Sequence, residues 1–203
     1  LPLRHPLEVA KSIGTASILS DGRVALGAGA GWVKEEFDIL GVDFKTRGRR
    51  MDESIEVLRK LWTGEMVEHH GECFDIPPVQ MSPAPNHPIP IWIGGASKPA
   101  LRRASQRCDG WLGAGNTLED AIGIADELHR LRAEAGRQEE PFEVVAPLFE
   151  PLTPDVLQTL EDHGVTGTVN FPFFYTVGPQ STLSQKRAAM EQFAETVIRP
   201  SRG

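Results

Sequence analysis

Short apolar runs alternate, along this chain of 203 residues, with stretches whose apolar positions recur every three to four residues. That alternation marks a parallel sheet covered by helices, because each helix carries the chain back to begin the next strand from the same end. A first helix is expected from Pro6, a favoured first-turn residue, with Val9, Ile13 and Ala16 on one face and a turn at Asp21-Gly22. A buried strand at 24–28 and a glycine-rich loop follow. The spacing predicts a second helix over 49–62, with Met51, Ile55, Leu58 and Trp62 inward and Glu56 and Lys60 placed to pair at i,i+4. Residues 66–76 read as a small hairpin around His70-Gly71, and 77–90 as an irregular, proline-rich connection.

The alternation then tightens. A strand at 91–93 leads to Ser97, a good N-cap for a helix carrying Leu101, Ala104 and Ser105. A strand at 111–114 precedes a longer helix through Ala121, Ile124, Leu128 and Leu131 that ends near Gly136. A strand at 142–149, a helix at 153–163 stopped by Gly164, and a strand at 168–171 come next. The last helix is expected over about 181–198, with Met190, Phe193 and Val197 buried. Five strands with five following helices suit an open doubly wound sheet, or a (β/α)8 barrel missing its first strands; spacing alone does not choose.

Composition narrows the function classes. Lys and Arg total 21 against 28 Asp and Glu, a net charge of −7, so no broad nucleic-acid footprint is expected, since phosphate backbones need clustered positive charge. A single phosphate site built from backbone N–H groups stays open. Cys73 and Cys108 form neither a disulfide framework nor a metal spacing, and suit a reducing, cytoplasmic setting. No apolar run approaches the roughly 20 residues of a membrane helix, and the first six residues lack the regions of a signal peptide.

In a (β/α)8 barrel the site forms at the carboxyl ends of the strands. The loops so placed are 27–47, 94–98, 113–117, 150–152 and 170–180. The insertion at 65–90 falls on the opposite face, with His69 and His70, so no metal site is expected there. Gly94-Gly95-Ala96-Ser97-Lys98 is the best anion candidate: glycines allow close backbone approach, and a helix N-terminus offers unsatisfied N–H groups. A tight turn in which Ser97 merely caps the helix explains the same residues equally well. Gly27-Ala28-Gly29-Ala30-Gly31-Trp32 lacks the spacing of a dinucleotide fingerprint. Its glycines either make room for a ligand or relieve crowding. Glu35 and Glu36 read as solvated, and Arg47, Arg49 and Asp52 as structural ion-pair residues. Phe171, Phe173, Phe174 and Tyr175 form an apolar cluster that either walls a substrate pocket or packs; Asn116 and Asn170 are polar groups at strand ends.

The chain also resembles a known family. Leu1-Pro2-Leu3-Arg4-His5-Pro6-Leu7, Ala10-Lys11, Leu19-Ser20-Asp21-Gly22-Arg23 and Leu26-Gly27-Ala28-Gly29-Ala30-Gly31-Trp32 are similar to luciferase-like monooxygenases. So are Glu35-Glu36-Phe37, Leu40-Gly41, Arg47-Gly48, Asp52-Glu53, Leu61-Trp62, Pro90-Ile91-Trp92-Ile93-Gly94-Gly95 and Asp109-Gly110-Trp111, in the family's order over residues 1 to about 115. The resemblance implies a single luciferase-like (β/α)8 barrel domain over 1–203, here lacking its first three strands, so that a removed segment, a partner chain or a degenerate gene has to explain the gap. It implies an oxidoreductase passing a hydride through coenzyme F420, or FMN in a monooxygenase served by a separate reductase, acting on a small organic substrate, with a homodimer as the usual assembly. It further implies that Gly94, Gly95, Ala96, Ser97 and Lys98 bind the coenzyme's phosphate and that Ala30, Gly31 and Trp32 contact the coenzyme. Asn116, Asn170 and Phe173 are the substrate-binding candidates. No general acid or base is assigned, because the strand that carries a histidine for that role in many deazaflavin-dependent relatives is absent. Two other readings remain: a non-catalytic or vestigial coenzyme-binding protein, and an unrelated α/β fold holding a phosphorylated metabolite at Gly94-Gly95.

Overall fold

The computed structural model describes residues 1–169 and 176–200. Its contacts divide the chain into two compact units, Leu1–Gly94 and Gly95–Gly203.

In the first unit, helix α1 (Pro6–Ser20) starts where His5 Nδ1 accepts the Leu7 N–H at 3.2 Å. It stops at Asp21 in the left-handed region, φ 55°. Helix α3 (Arg47–Leu61) buries Met51, Ile55, Val57, Leu58 and Leu61, and Glu56 pairs with Lys60 at 2.9 Å as the spacing required. α1 and α3 pack together, with the Trp62 indole donating to the Ala10 carbonyl at 3.1 Å. Strand β1 (Leu26–Ala28) pairs in parallel with β4 (Ile91–Gly94), Ala28 lying opposite Ile93. Ile91 and Ile93 are fully buried on one face of β4.

Two elements depart from expectation. The loop at 27–47 contains a short helix, α2 (Lys34–Ile39), and a 3-10 turn (Phe44–Thr46). Phe37 is wholly buried there, edge-on to Phe44 at 5.1 Å, and that single anchor folds a segment whose other residues are mostly polar or exposed. The hairpin is also longer than its pattern suggested: β2 (Met66–His70) pairs antiparallel with β3 (Asp75–Gln80), which includes Pro77 and Pro78. Proline lacks a ladder N–H, yet a two-stranded sheet has a free edge on every strand and tolerates it.

Glu53 of α3 fastens this hairpin. Its carboxylate accepts the Phe74 N–H at 2.7 Å and the Cys73 N–H at 2.9 Å, and faces His69 Nε2 at 3.0 Å. Burial pushes this carboxyl up, but the hydrogen bonds from His69, Phe74 and Cys73 together outweigh it and hold it below the ordinary glutamate value of 4.5. A folded-state pKa below the unfolded one means the charged form stabilises the fold above pH 4.5, a contribution lost as pH falls through the lower folded value. The thermal midpoint is therefore expected to decline on acidification below that point. In Glu53→Gln this part of the decline should flatten, which melting curves over an acid pH series would check.

The second unit continues the alternation. Helix α4 (Lys98–Arg107) buries Ala100, Leu101, Ala104 and Ser105 and packs against α5 (Leu118–Glu134), which buries Ala121, Ala125 and Leu128. Thr117 caps α5 by accepting the Asp120 N–H at 3.1 Å. Strand β5 (Gly110–Leu112) pairs in parallel with β6 (Glu143–Val145), Trp111 opposite Val144. Both strands are shorter than their apolar runs. A parallel bridge between Asn116 and Leu148 continues the pairing beyond them. Helix α6 (Pro154–Asp162) is capped by Thr153, and Gly164 follows at φ +73°. Of the expected strand at 168–171, the described residues show no more than a bridge from Val145 to the preceding Gly167. Helix α7 (Leu183–Phe193) runs into a π-helical turn (Ala194–Ile198). Val197 is buried as expected, but Met190 is 56% exposed, because Ala189 is the residue of α7 that turns inward. No helix among the described residues is long and apolar enough to cross a membrane.

Candidate functional site

Parallel strands send their loops out from the same end, so the register brings the predicted site segments to two strand ends. In the first unit Ala28 lies opposite Ile93, which places residues 29–32 just past the carboxyl end of β1 and Gly94 at the carboxyl end of its neighbour β4. Gly31 sits at φ +82°, and a Cβ there would come within 2.9 Å of the Phe37 ring. This glycine is thus accounted for by the seat it provides for Phe37. Gly29 differs: nothing lies within 4 Å of where its Cβ would be. Ala30 is half-buried, while Trp32 is 85% exposed with its ring presented to the surroundings.

Gly95 opens the second unit at φ +102°, a conformation that favours glycine. Ser97 is the N-cap of α4, its hydroxyl accepting the Ala100 N–H at 3.4 Å. Pro99 has no N–H, so the amides left at this helix start are those of Ala96, Ser97 and Lys98. They have no hydrogen-bond partner among the described residues, and residues 95–99 are exposed. Such a row of open amides at the positive end of a helix attracts an anion. Lys98 adds a cation, and it and Arg102 lie near Glu127 of α5; that carboxyl is held low first by its hydrogen bond to Arg130 and, less strongly, by these two charges.

The turn is tied from below. Trp111 of β5, 1% exposed, donates its indole N–H to the Gly95 carbonyl at 2.9 Å. The sequence carries no sign of this role for Trp111 of Asp109-Gly110-Trp111, since nothing local shows which carbonyl an indole will reach. On the loop after β5, Asn116 is 9% exposed and its side-chain oxygen is buried without a partner, although its backbone is spent on Pro147 and Phe149. Glu150 is occupied structurally, accepting the Leu118 N–H at the start of α5.

The other residues singled out in the sequence have the following surroundings. His69 is held by Glu53, His70 is exposed and bonded to Asp75, and no group of three potential metal ligands occurs among the described residues. His5 is the cap of α1. Glu35 and Glu36 are exposed in the first turn of α2. Arg49 pairs with Glu72, whereas Arg47 stacks on Phe44 at 3.9 Å. Asn170 and Phe173, with Phe171, Phe174 and Tyr175, lie outside the described residues.

The class follows from comparison with known proteins. The luciferase-like monooxygenase profile matches residues 1–195, and this chain belongs to that family. An uncharacterised protein of Mycobacterium tuberculosis is 44% identical over 200 residues, spanning 98% of this chain and 69% of that protein. A 5,10-methylenetetrahydromethanopterin reductase of Archaeoglobus fulgidus is 32% identical over 141 residues, 70% of this chain and 42% of that protein. Among solved structures, the coenzyme F420-dependent tetrahydromethanopterin reductase of Methanopyrus kandleri superposes with a TM-score of 0.75 at 19% identity, covering 97% of this chain and 79% of that one. The α/β architecture with parallel strands is therefore of the luciferase-like (β/α)8 type, and the doubly wound alternative falls away.

Proposed function

We propose that this chain forms part of an oxidoreductase that passes a hydride through coenzyme F420 to or from a small organic substrate. The observation that carries the reading is the exposed turn at Gly95, Ala96, Ser97 and Lys98, with three unpartnered amides at the start of α4 and a cation beside them. This donor set fits a phosphate-bearing tail: it offers N–H groups and positive charge and holds no carboxylate of its own. F420 dependence in relatives of the family supports the choice of coenzyme.

Gly94 through Lys98 would hold the phosphate; Ala30, Gly31 and Trp32 are proposed separately as coenzyme contacts, the open indole of Trp32 offering an apolar face. The buried, unpartnered oxygen of Asn116 would accept a hydrogen bond from a substrate O–H or N–H. The coenzyme supplies the hydride chemistry; these residues would bind and orient it. A homodimer is the proposed assembly, and neither a metal nor nucleic acid is part of the proposal.

Titrating the full-length protein with F420 and, separately, with FMN, and following each visible spectrum, tests the proposal. Tighter binding of F420 is expected. Tighter binding of FMN would replace the reading by an FMN-dependent monooxygenase with a reductase partner. F420 binding without turnover of any candidate substrate would favour a non-catalytic coenzyme carrier.

A further inference from the structure

The indole bond to Gly95 does more than fill the core. An indole N–H is a donor with no acceptor capacity, and leaving it buried without a partner is costly, so the bond fixes where the Gly95 carbonyl points. The peptide joining Gly95 to Ala96 is planar, and in the trans form its C=O and N–H point in opposite directions. Holding the carbonyl toward the buried Trp111 ring therefore turns the Ala96 N–H the other way, into the exposed turn. Gly95 needs such a hold. Lacking a Cβ, it lets this peptide rotate with little steric resistance, and Trp111 is the partner of its carbonyl among the described residues.

The same ring supports the neighbouring loop. A Cβ on Gly113 would lie 2.7 Å from Trp111 Cη2 and press against the Asn116 side-chain oxygen, so this loop rests on the indole with no spare room. One side chain thus sets the direction of an amide in the anion turn and bears the loop that carries Asn116.

We propose that Trp111 is the positioning residue of the anion turn: its N–H orients the 95–96 peptide so that the Ala96 amide meets an incoming phosphate. This rests on the reading above, in which that turn takes the coenzyme's phosphate. Trp111 itself touches neither coenzyme nor substrate.

Trp111→Phe keeps an aromatic ring in place and removes the N–H. Calorimetric titration of the full-length protein with F420, well below the melting temperature, is expected to show about three- to tenfold weaker binding, the worth of one oriented hydrogen bond. The loss should fall on KM for the coenzyme rather than on kcat, a split that a purely structural role would not produce. Gly113→Ala, whose added Cβ must displace the ring, is expected to weaken binding in the same direction and serves if Trp111→Phe does not fold. In the unsubstituted protein the Trp111 indole proton should exchange slowly with solvent. Wild-type affinity in Trp111→Phe, or fast exchange of that proton, overturns the proposal. The same titrations with inorganic phosphate separate it from the coenzyme reading. If the unsubstituted protein binds phosphate but not F420, the coenzyme reading falls and Trp111 is judged by the variants' phosphate affinity. If it binds neither, both fall.

Discussion

Replacing Glu53 by alanine is expected to destabilise the protein by about 3–5 kcal/mol, the range for removing one partner from a buried charged network. The side chain is 12% exposed and serves three donors, the backbone N–H groups of Cys73 and Phe74 and the ring of His69. Alanine leaves all three without their acceptor, in a region where Phe74 is 5% and His69 8% exposed. At roughly 2–4 °C per kcal/mol for a chain of this size, the thermal midpoint should fall by about 6–20 °C. Glu72→Ala supplies the contrast. Glu72 pairs with Arg49 across solvent, its side chain 72% exposed, and such pairs contribute no more than about 1 kcal/mol. Melting curves that show equal losses in the two variants would refute the account of how α3 holds the hairpin.

The second large effect is on binding. Gly95→Val is expected to weaken F420 binding at least about tenfold, because a β-branched residue at φ +102° is strained by about 1–3 kcal/mol. Crowding is not the cause: a Cβ at this position would find Ala100 Cβ at 3.5 Å, an ordinary contact. The backbone must therefore either carry the strain or rotate, and rotation turns the Ala96 amide away from the anion. Gly123→Ala is the control. It lies within α5 with nothing within 4 Å of the added Cβ, so it should leave affinity unchanged and stabilise the helix by about 0.5–1 kcal/mol. Calorimetric titration of both variants decides the matter; unaltered affinity in Gly95→Val would remove the turn from the site.

The helices of this protein were legible because each is written locally. Pro6 after His5 and Ser97 three residues before Ala100 announce their helix starts within one turn of chain, and both caps form. Met51, Ile55 and Leu58 announce which face of α3 is buried. The segments that misled are those whose state depends on distant partners. α2 exists because Phe37 finds Phe44 and the bare backbone of Gly31. Pro77 and Pro78 look like a break, yet join β3 because a two-stranded sheet leaves them an edge.

The candidate site divides in the same way. By itself the sequence determined the α/β alternation and the family, and it marked the Gly94–Lys98 turn as a candidate for an anion, because glycine tolerance and helix capping are properties of a few consecutive residues. Tertiary structure alone decided that Glu53 holds the hairpin, that Asn116 keeps a buried oxygen unpaired, and that the Trp111 indole reaches Gly95 from sixteen residues away. Those are matters of which donor meets which acceptor once strands pair and side chains are shut away from water. A hydrogen bond has direction and short reach, and a linear pattern of apolar and polar residues encodes neither.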